Sequence, residues 1–201
     1  MAQLPYASNI FTSIHAISMP SLFPSQSLPT LLKECQRILI PSGSLRLTLL
    51  DPSPVPSTLG SRLHTYLDTH LLINLEHQFR CIHPNRLFPL WLADAGLRAH
   101  GSTIATIKFQ AAISKDASSG STHTGSEGDG SGDGELEDAV KRGQEVKQQL
   151  KSQIGRMLWK EMWGAFVEGD MWWWDDELIV EECERLGTRW EYSVIEAVKG
   201  G

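Results

Sequence analysis

Long apolar runs, cysteine and clustered positive charge are all scarce in this chain, and each shortage closes off a class of function. No stretch reaches the roughly 18 consecutive apolar residues that a membrane-spanning helix needs. The amino terminus, MAQLPYASN, has neither the basic region nor the apolar core of a secretory signal. The expectation is a soluble, cytoplasmic protein, the nucleus left open, with no membrane partner. Cys35, Cys81 and Cys183 are odd in number, far apart and free of CxxC spacing, which argues against a disulfide framework or a zinc module. No Lys/Arg cluster is interleaved with aromatics, so there is no electrostatic footprint for nucleic acid and no basic amphipathic face. GxSxG, HExxH and P-loop patterns are absent, which removes the usual hydrolase, metalloprotease and NTPase signatures.

The net charge of -6 is a local matter. Residues 116 to 138 hold seven acidic groups and no Lys or Arg, while the rest carries 17 acidic against 18 basic groups. Residues 114–135, SKDASSGSTHTGSEGDGSGDGE, are almost wholly Ser, Gly, Thr and acid. Such a composition buries too little apolar surface to offset the cost of ordering, so it reads as a disordered insert. Asp129, Ser131, Asp133 and Gly134 match the start of a calcium loop, but position twelve is Val140 where a bidentate Glu is needed. His64, His70 and His77 share one predicted helix at spacings that put neighbours about 9 to 10 Å apart along the axis, too far to share a metal. No metal site is expected.

Periodicity supplies the elements. NIFTSIHAIS, residues 9–18, suits a short buried strand. Leu28, Leu31, Leu32, Cys35, Ile38 and Leu39 form the stripe of an amphipathic helix with Ser27 as its cap, and Pro41-Ser42-Gly43 reads as the turn that stops it. Leu45, Leu47 and Leu49 alternate as a second strand, completing a βαβ unit whose two strands must be parallel. Ser57 is expected to cap a long helix carrying Leu59, Leu63, Tyr66, Leu67, Leu71 and Leu75. A further helix, 85–95, stops at Gly96, and 102–109 reads as a strand. The stripe Val146, Leu150, Ile154, Met157 and Leu158 predicts a long amphipathic helix. Asp176 to Leu186 makes another, ended by Gly187, and TRWEYSVIEAV is the final strand. The class is α/β. One domain, 1–201, is expected, with a helical insertion at 136–187.

LPYASNIFTSIHAIS, LPTLLKECQRILIPSGSLRL and LWLADAGL together resemble the second half of a class I S-adenosylmethionine-dependent methyltransferase of the type 11 kind, over roughly residues 4 to 109 plus the last strand. The matching residues are Leu4-Pro5-Tyr6, Phe11-Thr12 and Arg37-Ile38-Leu39-Ile40-Pro41-Ser42-Gly43. Thr12 stands where the family usually has Asp, and Ser42 replaces the first Gly of the turn. The resemblance implies a Rossmann-like sheet of seven strands, with an antiparallel last strand between the fifth and sixth. The strands read here would be the fourth to the seventh. No GxGxG occurs before residue 37, so the expectation is a chain truncated ahead of the Gly-rich loop and the ribose-binding carboxylate that grip such a cofactor.

The resemblance places Ala16, Ile17, Ser18 and Met19 beside S-adenosylmethionine and leaves the catalytic residues unknown. Asp51, at the carboxyl end of its strand, and Trp172 and Trp173 of MWWWDDE are the substrate-side candidates, large aromatics being packing residues in most cases. Two functions compete. One is methyl transfer to a small-molecule or protein substrate, by proximity and alignment. The other is a non-catalytic remnant or interaction module, in which a second copy or a partner chain covers an exposed sheet edge.

Overall fold

The structure is a computed structural model that describes residues 3–112 and 133–200. The insert expected at 114–135 lies outside the described residues as far as 132, and 133–135 begin a helix.

Strand β1 (Phe11–Ala16) is followed by a single turn, α1 (Met19–Leu22), and by helix α2 (Leu28–Ile38). β2 (Leu39–Leu50) then lies parallel to β1, with Ile14 opposite Leu45 and Ala16 opposite Leu47. β3 (Thr103–Gln110) and β4 (Arg189–Val198) complete a four-stranded sheet of order β1-β2-β4-β3, in which β4 is antiparallel to both neighbours. The result is an open, Rossmann-like α/β sheet whose last strand is threaded between its second and third.

Two cores lie on opposite faces of it. Leu45, Leu47, Ile195 and Ala197 point to one face, where α2 and α5 (Pro84–Asp94) cover them through Leu28, Leu32, Phe88 and Leu92. Leu50, Phe109 and Trp190 point to the other and meet a tryptophan-rich layer: Trp159 and Trp163 on α6 (Asp133–Trp163), Trp173, and Cys183 on α7 (Glu177–Leu186). Burial pushes the Cys35 and Cys183 thiols up to about 11, so both stay protonated core groups at neutral pH.

Three sequence expectations are corrected here. The Pro41-Ser42-Gly43 turn is not a helix stop: α2 already ends at Ile38, and these residues form an irregularity inside β2. The step from Phe11 to Ser13 on β1 faces the step from Leu39 to Ser44 on β2. Ser42 adopts φ 63°, and the tight approach of the Ile40 carbonyl leaves little room for a side chain at Gly43. Two backbone bonds tie the kink to the residue after β4: the Ser42 N–H donates to the Lys199 carbonyl at 3.2 Å, and the Lys199 N–H donates to the Gly43 carbonyl at 2.9 Å.

Nor does Ser57 cap a long helix. Pro56–Thr58 is an isolated turn, and α3 (Ser61–Leu67) starts beyond Gly60. Its cap comes from 120 residues away: the Glu182 carboxylate on α7 accepts from the N–H groups of Arg62 (2.9 Å) and Leu63 (3.2 Å) and from the Ser61 hydroxyl (3.3 Å). A carboxylate there answers the orphan donors and the positive end of the helix. α3 continues through a π-helical stretch, Asp68–Leu72, into α4 (Ile73–His77), and Leu63, Leu67, Leu71 and Leu75 are all buried.

The aliphatic stripe of α6 does not face the core. Val146, Leu150, Ile154 and Met157 are 63%, 55%, 48% and 71% exposed, and the buried face is Ser152, Gly155, Trp159 and Met162. A Cβ at Gly155 would overlap the Phe109 ring, so close approach to β3 selects the glycine and tryptophan face over the aliphatic one. No helix among the described residues is long and apolar enough to cross a membrane.

Because Glu182 is 8% exposed and satisfies three donors, Glu182→Ala should cost about 1–3 kcal/mol in urea unfolding. Glu182→Gln, which keeps one acceptor oxygen, should cost less than Glu182→Ala.

Candidate functional site

Parallel pairing of β1 and β2 brings their carboxyl ends to one edge of the sheet, and the antiparallel β4 brings its amino end there too, with Leu50 opposite Tyr192. Ile17 to Met19 and Asp51 therefore share an edge. Of the expected cofactor quartet, Ile17 is 56% exposed, Met19 is buried at 5%, and the Ser18 carbonyl is consumed by the α1 turn. The quartet offers a hydroxyl and apolar surface, with no carboxylate for ribose and no Gly-rich loop beside it among the described residues.

Asp51 sits in a better-formed place. As β2 ends, its Oδ1 accepts from the backbone N–H of Asn85 at 2.9 Å, in the first turn of α5. Asn85 in turn donates its side-chain amide to the Glu191 carbonyl at 3.1 Å, while its Oδ1 is buried without a partner. These groups border a cavity of about 350 Å³ that Ser53, Thr106, Glu191 and Ser193 complete. The apolar face of the sheet gives way to it: the ladder pair Ile104 and Ile195 is succeeded by Thr106 and Ser193, and then by Lys108 and Glu191. Lys108 pairs with the Glu191 carboxylate at 3.1 Å. Burial raises the Asp51 carboxyl above its ordinary 3.8, and the Asn85 N–H and nearby His83 offset part of that shift.

The loop carrying Asp51 is held from the opposite face. Trp159 and Trp190 both donate their indole N–H to the Pro52 carbonyl, at 2.8 and 3.3 Å. Trp173 is 1% exposed and stacks on Trp190 with centroids 5.2 Å apart, so it lies in the core behind this loop. Trp172 stacks on Trp174 at 5.3 Å, with Lys160 over its ring at 4.6 Å. Neither tryptophan lines the Asp51 cavity, which the sequence reading had grouped with them.

Asn85, Thr106, Glu191 and Ser193 escaped that reading. Ser193 and Glu191 alternate with Trp190, Tyr192 and Val194 and so look solvent-facing. The available signal was strand parity, because Ser193 shares its face with Ile195 and Ala197.

No protein-family model matches the chain, and no curated protein matches it. Solved structures similar to it include a presumed methyltransferase of Bacillus halodurans (13% identity, TM-score 0.44, 99% of this chain and 68% of that one). A second is phosphoethanolamine N-methyltransferase 2 of Haemonchus contortus, bound to phosphomonomethylethanolamine and S-adenosylhomocysteine (9%, 0.42, 98% and 35%). A third is an S-adenosylmethionine-dependent methyltransferase of Archaeoglobus fulgidus (13%, 0.39, 96% and 61%). The chain thus spans about two thirds of the first and less of the other two. With TM-scores below 0.5, none of these likenesses bears on the function of this chain.

The raised Asp51 carboxyl gives a pH test. The folded protein holds this proton more tightly than the unfolded chain, so the contribution of Asp51 to stability is greatest below 3.8 and is lost as pH rises through the higher folded value. Asp51→Asn keeps an acceptor for Asn85 and lacks that loss. Its urea midpoint relative to the native chain should climb as pH rises from the acid side and level off towards neutrality.

Proposed function

We propose that residues 1–201 form the acceptor-side half of an S-adenosylmethionine-dependent methyltransferase sheet, and that the Gly-rich, ribose-binding half lies outside this sequence. The observation that carries the reading is the strand order β1-β2-β4-β3, with an antiparallel last strand threaded beside the βαβ unit. That is the arrangement which the resemblance of Leu4-Pro5-Tyr6 and Arg37 to Gly43 implies. In this reading β1 to β4 correspond to the fourth, fifth, sixth and seventh strands, with β4 as the seventh. Ala16 to Ser18 meet one flank of the cofactor, and the Asp51 edge receives the methyl acceptor. The domain is a single unit, 1–201, with an acidic insert and a helical insertion, working in the cytoplasm.

The chain 1–201 alone should give no saturable heat with S-adenosylmethionine in calorimetry, and saturable binding would remove the half-site part of the proposal. Extended upstream by an in-frame Gly-rich strand-turn-helix segment, it should photolabel with methyl-tritiated S-adenosylmethionine on the peptide that contains Ala16 to Met19. An extended protein that takes no label there would overturn the class itself.

A second reading, a non-catalytic module that pairs with another copy of itself, is supported by the exposed stripe of α6 and by β1, whose outer edge pairs with no strand among the described residues. Light scattering on the eluting protein separates the two. A dimer that Leu150→Glu with Ile154→Glu dissolves favours self-association, and a monomer at every concentration excludes it.

A further inference from the structure

Every charged group that lines the Asp51 cavity is a carboxylate, and its other polar groups are short of donors. Among the described residues Asp51 and Glu191 are the only ionisable ones in the lining, and Lys108 already holds the Glu191 carboxylate at 3.1 Å. The Asp51 carboxylate spends one oxygen on the Asn85 N–H, and the other shows no hydrogen bond to a described residue. The Asn85 carbonyl oxygen is buried and unpartnered, although its amide nitrogen and backbone N–H are both engaged. At the floor, Ser193 is 8% exposed and its hydroxyl meets no described residue. The second Asp51 oxygen is the acceptor left for a ligand, so this arrangement suits one that brings a donor.

Three facts narrow the class. An anion would face the Asp51 carboxylate, with no Lys, Arg or His among the described lining residues. No group of three or more His, Cys, Asp or Glu suited to a metal occurs among the described residues. Hard cations take six or more oxygens. Pro54, Val55 and Pro56 give one wall an apolar surface, which suits carbon, and about 350 Å³ is an order of magnitude more than the roughly 30 Å³ of one water.

We propose that this cavity binds a small hydroxyalkyl-ammonium compound, its ammonium N–H groups donating to Asp51, its carbon chain against Pro54 to Pro56 and a hydroxyl on Ser193. The assignment does not depend on the transferase reading, because it concerns binding in the absence of S-adenosylmethionine.

The test compares two probes that differ in one group: diethanolamine, with a central ammonium, and diethylene glycol, with an ether oxygen in its place. Each is titrated into the full chain labelled with nitrogen-15, and the amide signals of Asn85, Glu191 and Ser193 are followed. Diethanolamine should give saturable shifts there and bind at least about tenfold more tightly than the glycol, the difference expected of one charge-assisted hydrogen bond. Asp51→Asn should weaken diethanolamine by about tenfold, with thermal melting to show that the variant is folded. If it is not, Ser193→Ala, which removes the partner proposed for the hydroxyl, makes the same comparison. Equal binding of both probes, no shift with either at tens of millimolar, undiminished binding in a folded variant, or calcium moving the same signals at lower concentration would each overturn the proposal.

Discussion

Two indole N–H groups converge on one carbonyl oxygen, that of Pro52, and the geometry of the candidate site follows from this contact. Trp159 comes from α6 and Trp190 from β4, so the pair ties the loop after β2 to elements more than a hundred residues later in the chain. Prolines at 52 and 54 remove backbone donors from this loop and restrict its dihedrals, which leaves the indoles to fix its position. Asp51, one residue earlier, points the other way and caps the first turn of α5. The tryptophan core on one face thereby sets the position of a carboxylate on the other.

The sheet itself was legible because its strands obey alternation and its helices end at glycines: Gly96 and Gly187 both adopt positive φ, as their placement after α5 and α7 suggests. What escaped has a common cause, competition from distant residues. Ser57 has the composition of a cap, but the helix begins beyond it at Ser61, and its first N–H groups are met by the Glu182 carboxylate, which tertiary packing brings in. The aliphatic stripe of α6 has the right period for burial, but Gly155 permits a closer approach to Phe109, and the tryptophan face takes the core. The cavity was half visible: Asp51 stood out at a strand end, whereas Asn85 and Ser193 belong to elements whose faces can be assigned only once both cores are known.

Function in this fold comes down to where apolar pairing stops. Along the β3 and β4 ladder, Ile195, opposite Ile104, packs in the core with α5, and one step further Thr106 faces Ser193. Polar residues at that step stop the core short of the loop that carries Asp51 and leave a void edged by acceptors. The same edge carries the Ala16 to Ser18 segment, so this segment and Asp51 lie where β1 and β2 end and β4 begins.

The π-helical stretch between α3 and α4 has a quieter role. Residues four apart on a regular helix drift by about 40° at each step, so Leu63, Leu67, Leu71 and Leu75 would wind away from the sheet within three repeats. The wider turn at Asp68–Leu72 takes up that phase error, and all four leucines stay aligned on a single seam. The helix therefore cannot lose a residue in that stretch without rotating Leu75 out of register, which makes residues 68–72 intolerant of length change even where individual side chains are free to vary.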